Sequence, residues 1–370
     1  MIAVTSASTV IVALLLLLAV DIALMRRIVL EGRRTTIDFT YDPDRSELVL
    51  HRTPLVERPG RYGIWVRGGG HFSVGEIVFT DPSNATVTRK VLLATDAPAG
   101  GRLSGRWTGH AFANAWTTGY EFTEVLIETE GAPRPAWVFP GESDNRWVIH
   151  IHGIKSSRAS ALRGVRVAQR LGYTSLVPSF YGDGESGGRE GSTLGLREAA
   201  DVARAVRFAV ESGAQSVTLF GWSMGGTIAL MLADEPEFRG RITNLVLVGP
   251  ALNWRAALER GMTAARVPGF LIGLVCWSLE SRLLSRFAHM ERPVSFEQLD
   301  RTHRSLRVPT LVLHSRGDAD SSWRESEELA VRNRSLVELV EFPPAPHLLE
   351  WNTQPEFFEE QVEKFLLRRC

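Results

Sequence analysis

Cysteine is nearly absent from this chain. Its 370 residues hold two, Cys276 within an apolar segment and Cys370 as the last residue, so neither a disulfide framework nor a cysteine metal site can organise the fold. Charge of one sign is lacking too, since 42 basic residues balance 42 acidic ones. No basic stripe with interleaved aromatics stands out, which removes nucleic acid as a partner. No propeller repeat is visible, and no cluster has the spacing of metal ligands or calls for a cofactor. What the chain does have is apolar content, 44% of all residues. That suffices for a large core, and the length suits one large α/β domain with extra modules.

Residues 4–25, Val4 to Met25, are almost all apolar or small, with Leu14 to Leu18 at the centre and Asp21 the only charge. At 1.5 Å per residue such a helix covers roughly 30 Å of hydrocarbon. A cleaved signal peptide calls for a positive leading region and a small-residue cleavage site, and neither is evident. The expectation is therefore an uncleaved transmembrane anchor, with Asp21 reaching the interface or pairing with a nearby arginine. Arg26, Arg27, Arg33 and Arg34 follow the segment while no Lys or Arg precedes it, which puts the remainder of the chain on the cytoplasmic side. There the glycosylation patterns at Asn84-Ala85-Thr86 and Asn333-Arg334-Ser335 have no consequence.

Residues 36–120 read differently. Short runs at Ile37 to Tyr41, Ser46 to His51, Tyr62 to Arg67, Glu76 to Thr80 and Val87 to Leu93 are divided by Asp-Pro, Pro-Gly and Gly-Gly-Gly. Short strands with regular turn signals predict a small antiparallel β module, and it carries no catalytic constellation. From residue 121 to 370 strand-like runs alternate with helical ones. Strands are expected at Trp147 to Ile151, Thr174 to Val177, Ser216 to Phe220, Asn244 to Val248, Thr310 to Leu313 and Leu336 to Phe342, and helices at Ala159 to Leu171, Leu196 to Glu211, Arg324 to Arg332 and Pro355 to Arg368. That alternation predicts an α/β fold with a mostly parallel, doubly covered sheet, whose chemistry lies beyond the carboxyl ends of the strands.

Within this region, Gly221-Trp222-Ser223-Met224-Gly225 follows an apolar strand and precedes the apolar run Thr227 to Ala233. Strand, sharp turn and helix with a serine at the apex make a nucleophile elbow, in which the turn lifts the serine oxygen clear of the sheet. A second match, Gly184-Glu185-Ser186-Gly187-Gly188, lies in a Gly-rich loop without such flanks and is rejected.

A serine hydroxyl needs a base, and the base needs an orienting group. In the chain order Ser, Asp or Glu, His, the segment after Thr310 to Leu313 supplies Asp318, with Asp320 as the alternative. The segment after Leu336 to Phe342 supplies His347. Backbone N–H groups serve best as oxyanion donors. Met224, directly after the nucleophile, and Ile154, in the loop opened by His152-Gly153, are the candidates.

On these residues, His152-Gly153, Gly221 to Gly226, Asp318 and His347, the chain from about Glu121 onward resembles the α/β-hydrolase superfamily, in its serine esterase, lipase and prolyl-oligopeptidase-like branch. The resemblance implies an acyl-enzyme on Ser223, with His347 as acid and base and Asp318 holding its tautomer. Where the family has Val-Pro after the Asp loop, this chain has Ser321-Ser322-Trp323, which leaves Asp320 in play. Residues 254–304 are too long for a simple crossover and are expected to form a cap, with a long crossover helix as the alternative. An apolar cap suits a small-molecule ester with an apolar acyl group. Trp222 and Trp351, flanking the chemical residues, are read as packing.

The resulting expectation is a membrane-anchored serine hydrolase of carboxylic esters or thioesters. A peptidase of the prolyl-oligopeptidase-like type and a non-catalytic membrane-tethered binding protein are the alternatives. Substrate and oligomeric state are not legible.

Overall fold

The computed structural model describes residues 2–30, 35–183 and 190–368. Arg33, Arg34, the second Gly-x-Ser-x-Gly match and Cys370 lie outside the described residues. The apolar N-terminal run forms one helix, α1 (Ile2–Val29), of which Thr9–Val29 is long and apolar enough to cross a membrane. The helix does not stand free of the rest of the chain. Leu17, Asp21, Met25 and Val29, spaced four apart, share one face of the helix. From Asp21 on that face is buried, with Met25 and Val29 inside the hydrophobic core of the following domain.

The module that follows closes into a six-stranded barrel. Its strands are β1 (Thr36–Asp42), β2 (Glu47–His51), β3 (Tyr62–Val66), β4 (His71–Asp81), β5 (Thr86–Thr95) and β6 (Gly101–Thr108), in the order β1-β2-β5-β4-β3-β6. Every pairing is antiparallel. The side-chain period of two sends Leu48 and Leu50 inward and leaves Val49 exposed, and the interior is filled by Phe39, Tyr62, Ile64, Phe72, Val87 and Trp107. Strand β6 was missed in the sequence because Gly101, Arg102, Ser104, Gly105 and Arg106 dilute its apolar signal. It exists because β1 and β3 leave edges that it pairs on both sides.

Arg89 plugs this barrel. It is fully buried and donates to the carbonyls of Gly75, Val56, Arg58 and Gly60 at 2.5 to 2.9 Å, with its guanidinium 5.3 Å from the Tyr62 ring centroid and 5.5 Å from that of Trp107. Burial pushes its pKa down to about 10, still far above neutrality. A buried cation without a carboxylate partner persists only where acceptors are fixed around it. Here they fix the 56–60 loop in return.

The larger domain is an eight-stranded sheet in the order β14-β13-β12-β11-β9-β10-β8-β7. Its strands are β7 (Thr123–Ile127), β8 (Arg134–Phe139), β9 (Ser143–Ile151), β10 (Tyr173–Pro178), β11 (Ser216–Trp222), β12 (Ile242–Val248), β13 (Thr310–Ser315) and β14 (Val337–Phe342). Only β8 runs against its neighbours in this sheet. Helices α2 (Arg158–Ala161), α3 (Val165–Arg170), α4 (Glu198–Glu211), α5 (Met224–Asp234), α6 (Trp254–Ala264), α7 (Gly269–Glu280), α8 (Phe296–Leu299), α9 (Trp323–Arg332), α10 (Glu350–Thr353) and α11 (Pro355–Leu367) cover it. Alternate residues of one strand enter different cores. Leu219, Leu245 and Leu247 join the core that includes α4 and α5, whereas Phe220, Val246 and Val248 join the one that includes α3 and α11. Strands buried on both faces read as continuous apolar runs, which is why they were visible in the sequence.

Two expectations change. The single helix from Ala159 to Leu171 is divided by a 3-10 turn at Leu162–Gly164. The 254–304 insertion is not the one long crossover helix that was the alternative to a cap. It comprises α6, α7, a 3-10 turn at Leu284–Ala288 and α8, and α7 packs beside α1.

Replacing Arg89 with Met should lower stability by about 3 kcal/mol, because several buried carbonyls lose their donor at once. Denaturant unfolding of the full chain checks this, and an unchanged midpoint contradicts the plug.

Candidate active site

Ser223 sits between β11 and α5 with φ 53° and ψ −111°, a left-handed conformation that costs a non-glycine residue energy and turns its side chain off the strand end. The backbones on either side pass extremely close. A Cβ on Gly221 would lie 2.3 Å from the Gly225 carbonyl oxygen, and one on Gly225 would lie 2.1 Å from that of Ile151. Only glycine fits at both positions. The Ser223 N–H donates to the Val248 carbonyl at 2.9 Å, which ties the turn to the neighbouring strand.

The structure brings Ser223, His347 and Asp318 together although they come from three connections. His347 Nε2 lies 2.8 Å from Ser223 Oγ, and His347 Nδ1 lies 2.6 Å from Asp318 Oδ2. In the matching tautomer, Nδ1–H donates to the carboxylate and Nε2 accepts from the serine hydroxyl. Asp318 Oδ1 accepts from the backbone N–H groups of Asp320 and Ser321, both at 2.9 Å. Asp320 thus lends Asp318 its amide and does not take its place. Burial pushes the Asp318 carboxyl up, but hydrogen bonds from His314 and His347 outweigh it and hold the group below the ordinary carboxylate range. Burial pushes the His347 imidazole down, and the Asp318 hydrogen bond and charge outweigh that, so its pKa is raised.

The two candidate oxyanion donors flank this line. Met224 is the first residue of α5, where backbone N–H groups have no partner within the helix. Gly153 lies against the serine, a Cβ there falling 3.4 Å from Ser223 Cβ, and Ile154 follows it in the turn after β9. His152 stacks on Phe180 with ring centroids 3.9 Å apart, and its Nδ1–H donates to the Gly153 carbonyl at 2.9 Å.

The sequence assigns no role to several residues that hold this arrangement, although the spacing from His314 is what favours Asp318 in it. His314 is fully buried, with Nε2 3.2 Å from Asp318 Oδ2 and Nδ1 2.8 Å from Ser326 Oγ. Its position four residues before Asp318 was the available signal. Glu350 is buried and accepts from the Ser315 N–H at 3.1 Å, and burial pushes its carboxyl up. Arg163, also buried, donates to the Leu348 carbonyl at 2.7 Å and to Asn352 Oδ1 at 2.5 Å, with its guanidinium 4.2 Å from the Trp222 ring centroid. Trp222 and Trp351 are both buried and belong to the same hydrophobic core.

The barrel reaches both flanks of the site. Asn352 Nδ2 donates to the carbonyls of Arg61 at 2.6 Å and Gly109 at 2.9 Å, and the Arg61 N–H returns a bond to the Asn352 carbonyl at 2.8 Å. Arg58 Nη1 donates to the Pro344 carbonyl at 2.9 Å, and Leu349, two residues after His347, packs against the barrel core. On the other flank His110 Nε2 lies 3.3 Å from Ser156 Oγ, two residues beyond Ile154. Among the described residues, no group of three or more His, Cys, Asp or Glu could hold a metal ion. A cavity of about 500 Å³ lined by Arg61, Leu92, Phe112, Tyr120, Arg166 and Trp351 includes none of Ser223, His347 and Asp318.

Two family models match the chain. One, described as alpha/beta hydrolase fold, covers residues 146–290, and the other, a domain of unknown function (DUF8805), covers residues 39–108 of the barrel. No curated protein matches. Among solved structures, the esterase Pf2001 of Pyrococcus furiosus is 24% identical with a TM-score of 0.54, over 69% of this chain and 96% of that one. The mouse alpha/beta hydrolase domain-containing protein 10 is 16% identical with a TM-score of 0.50, over 67% of this chain and 100% of that one. At such identity the likeness is one of fold.

Histidine titration followed by NMR should give His347 a midpoint above the ordinary value of about 6.5. Replacing Asp318 with Asn removes the charge that raises it, leaves desolvation in control, and should drop the midpoint below that value. A midpoint insensitive to this substitution contradicts the 2.6 Å pair.

Proposed function

We propose that this chain is a member of the α/β-hydrolase superfamily and a membrane-anchored serine hydrolase of carboxylic esters or thioesters with an apolar acyl group, a reading that the family model over residues 146–290 and the fold likeness support. One observation carries the reading, the continuous hydrogen-bonded line from Asp318 through His347 to Ser223 at 2.6 and 2.8 Å.

In this mechanism Ser223 Oγ attacks the substrate carbonyl carbon while His347 Nε2 takes the hydroxyl proton. The negative charge that develops on the carbonyl oxygen is met by the backbone N–H groups of Met224 and Ile154, dipoles already oriented before reaction. Collapse of the tetrahedral species expels the alcohol or thiol, which receives its proton from His347 and leaves an acyl group on Ser223. Water then attacks the acyl carbon and gives a proton to His347. A second collapse releases the acid and returns the proton to Ser223. Asp318 stays ionised throughout, orients the ring and stabilises the imidazolium. The reaction needs His347 neutral at the start, so the rate falls as pH drops through its raised pKa.

The anchor is α1. Arg26 and Arg27, with Arg33 and Arg34 beyond them, follow the apolar segment, which favours a catalytic domain on the cytoplasmic side. The 254–304 helices act as the cap and contribute the apolar residues suited to an acyl chain.

Replacing Ser223 with Ala should abolish labelling by a fluorophosphonate probe and lower kcat for a p-nitrophenyl ester by about 10⁶-fold. Undiminished labelling of the alanine variant assigns the nucleophile elsewhere. Asn352→Ala should lower kcat with little change in KM for a short acyl ester, since it loosens the His347 loop and leaves acyl binding intact. A reporter fused at the C-terminus and read out outside the cytoplasm would reverse the topology.

A further inference from the structure

The apolar stretch Thr9–Val29 is long enough to cross a bilayer, but its last turns are packed on the domain. Its inward-facing stripe begins at Leu17 and is buried from Asp21 onward. The part of that stretch ahead of the buried residues, residues 9–20, covers only about 18 Å at 1.5 Å per residue. A hydrocarbon core of about 30 Å takes roughly 20 residues. A span that starts at Thr9 therefore continues past Asp21, along the stretch where α1 meets α7.

Helix α7 is suited to that position. Phe270, Gly273 and Trp277 lie on one helical face and are exposed, Phe270 at 69% and Trp277 at 61%. The apolar surface continues past the helix end through Leu283 at 68% and Phe287 at 45%. Arg26 Nε donates to the Phe287 carbonyl at 2.8 Å, which locks this turn to the anchor. The exposed residues Arg26, Arg27, Arg266, Arg282 and Arg286 belong to these same segments. Apolar and tryptophan side chains accompanied by arginines are the composition of an interfacial membrane surface. Asp21, the one acidic residue of the span, is buried where α1 meets α7 and faces Ser278, away from lipid.

Resting on the membrane-anchored reading above, we propose that the exposed face of α7 and the turn behind it form a second membrane-contacting surface. Its occupant is a phospholipid bilayer. The domain is then seated on the membrane through the same insertion that caps the site, and not suspended below it on a tether. An ester dissolved in the bilayer is the substrate class that such seating favours.

Full-length protein in nanodiscs containing brominated phosphatidylcholine tests this by tryptophan quenching. The wild type should be quenched, and Trp277→Phe should lose a measurable part of that quenching. Trp116→Phe, which removes an exposed tryptophan from the connection between barrel and sheet, should not. Trp277→Phe quenched to the same extent as the wild type overturns the proposal. So does a cross-link through position 277 joining two copies, which would make a second chain the occupant. Measuring in the Ser223→Ala background as well keeps the result independent of the hydrolase reading. A chain not retained by the discs refutes the anchor itself, whereas a retained chain with unchanged quenching refutes only the α7 surface.

Discussion

The short hydrogen bond between His347 and Asp318 is the interaction on which the rest of this structure depends. Buried alone, each group would favour its neutral form. Together, the carboxylate holds a proton-bearing Nδ1 in place and leaves Nε2 to face Ser223 at 2.8 Å. The line works only if three loops at the carboxyl edge of one sheet are fixed against one another. Ser223 is fixed by its strained turn and its bond to Val248, and Asp318 by two backbone amides and His314. His347 lies on a connection held at the sheet edge by Ser315 Oγ, which accepts from the Ala345 N–H at 2.8 Å, and it takes further support from outside the sheet.

The barrel supplies that support. Arg89 inside it fixes the 56–60 loop, and Gly60 lies against the Asn352 backbone so closely that a Cβ would fall 1.9 Å from its carbonyl oxygen. Asn352 in turn shares Arg163 with the Leu348 carbonyl, next to His347. On the opposite flank, burial pushes the His110 pKa down to about 3, so the ring is neutral beside Ser156. A module without chemical residues of its own thereby grips both the histidine loop and the turn that follows β9.

The sheet strands were legible because burial on both faces makes them apolar without interruption, and the elbow because glycine is obligatory where β11 and α5 pass. Ser223, Asp318 and His347 could be named from their order after successive strands. Asn352, Arg163 and Glu350 could not, since nothing in Glu350-Trp351-Asn352-Thr353 distinguishes a buried hinge from an ordinary helix start. Strand β6 was hidden for a related reason, because its partners are distant in sequence and its own composition is mixed.

Local sequence therefore determined the elements with strong periodic burial, the tight turn at Ser223 and the chain order of Ser223, Asp318 and His347. Tertiary structure set Asp318 rather than Asp320 against His347, closed the barrel, set it against the histidine loop and drew the last turns of α1 into the core of the larger domain. The division has a physical basis. A period of apolar residues or an obligatory glycine is imposed by neighbours a few positions away, whereas a carboxylate's orientation, a barrel's closing edge and a buried helix face depend on groups brought close only by the folded chain.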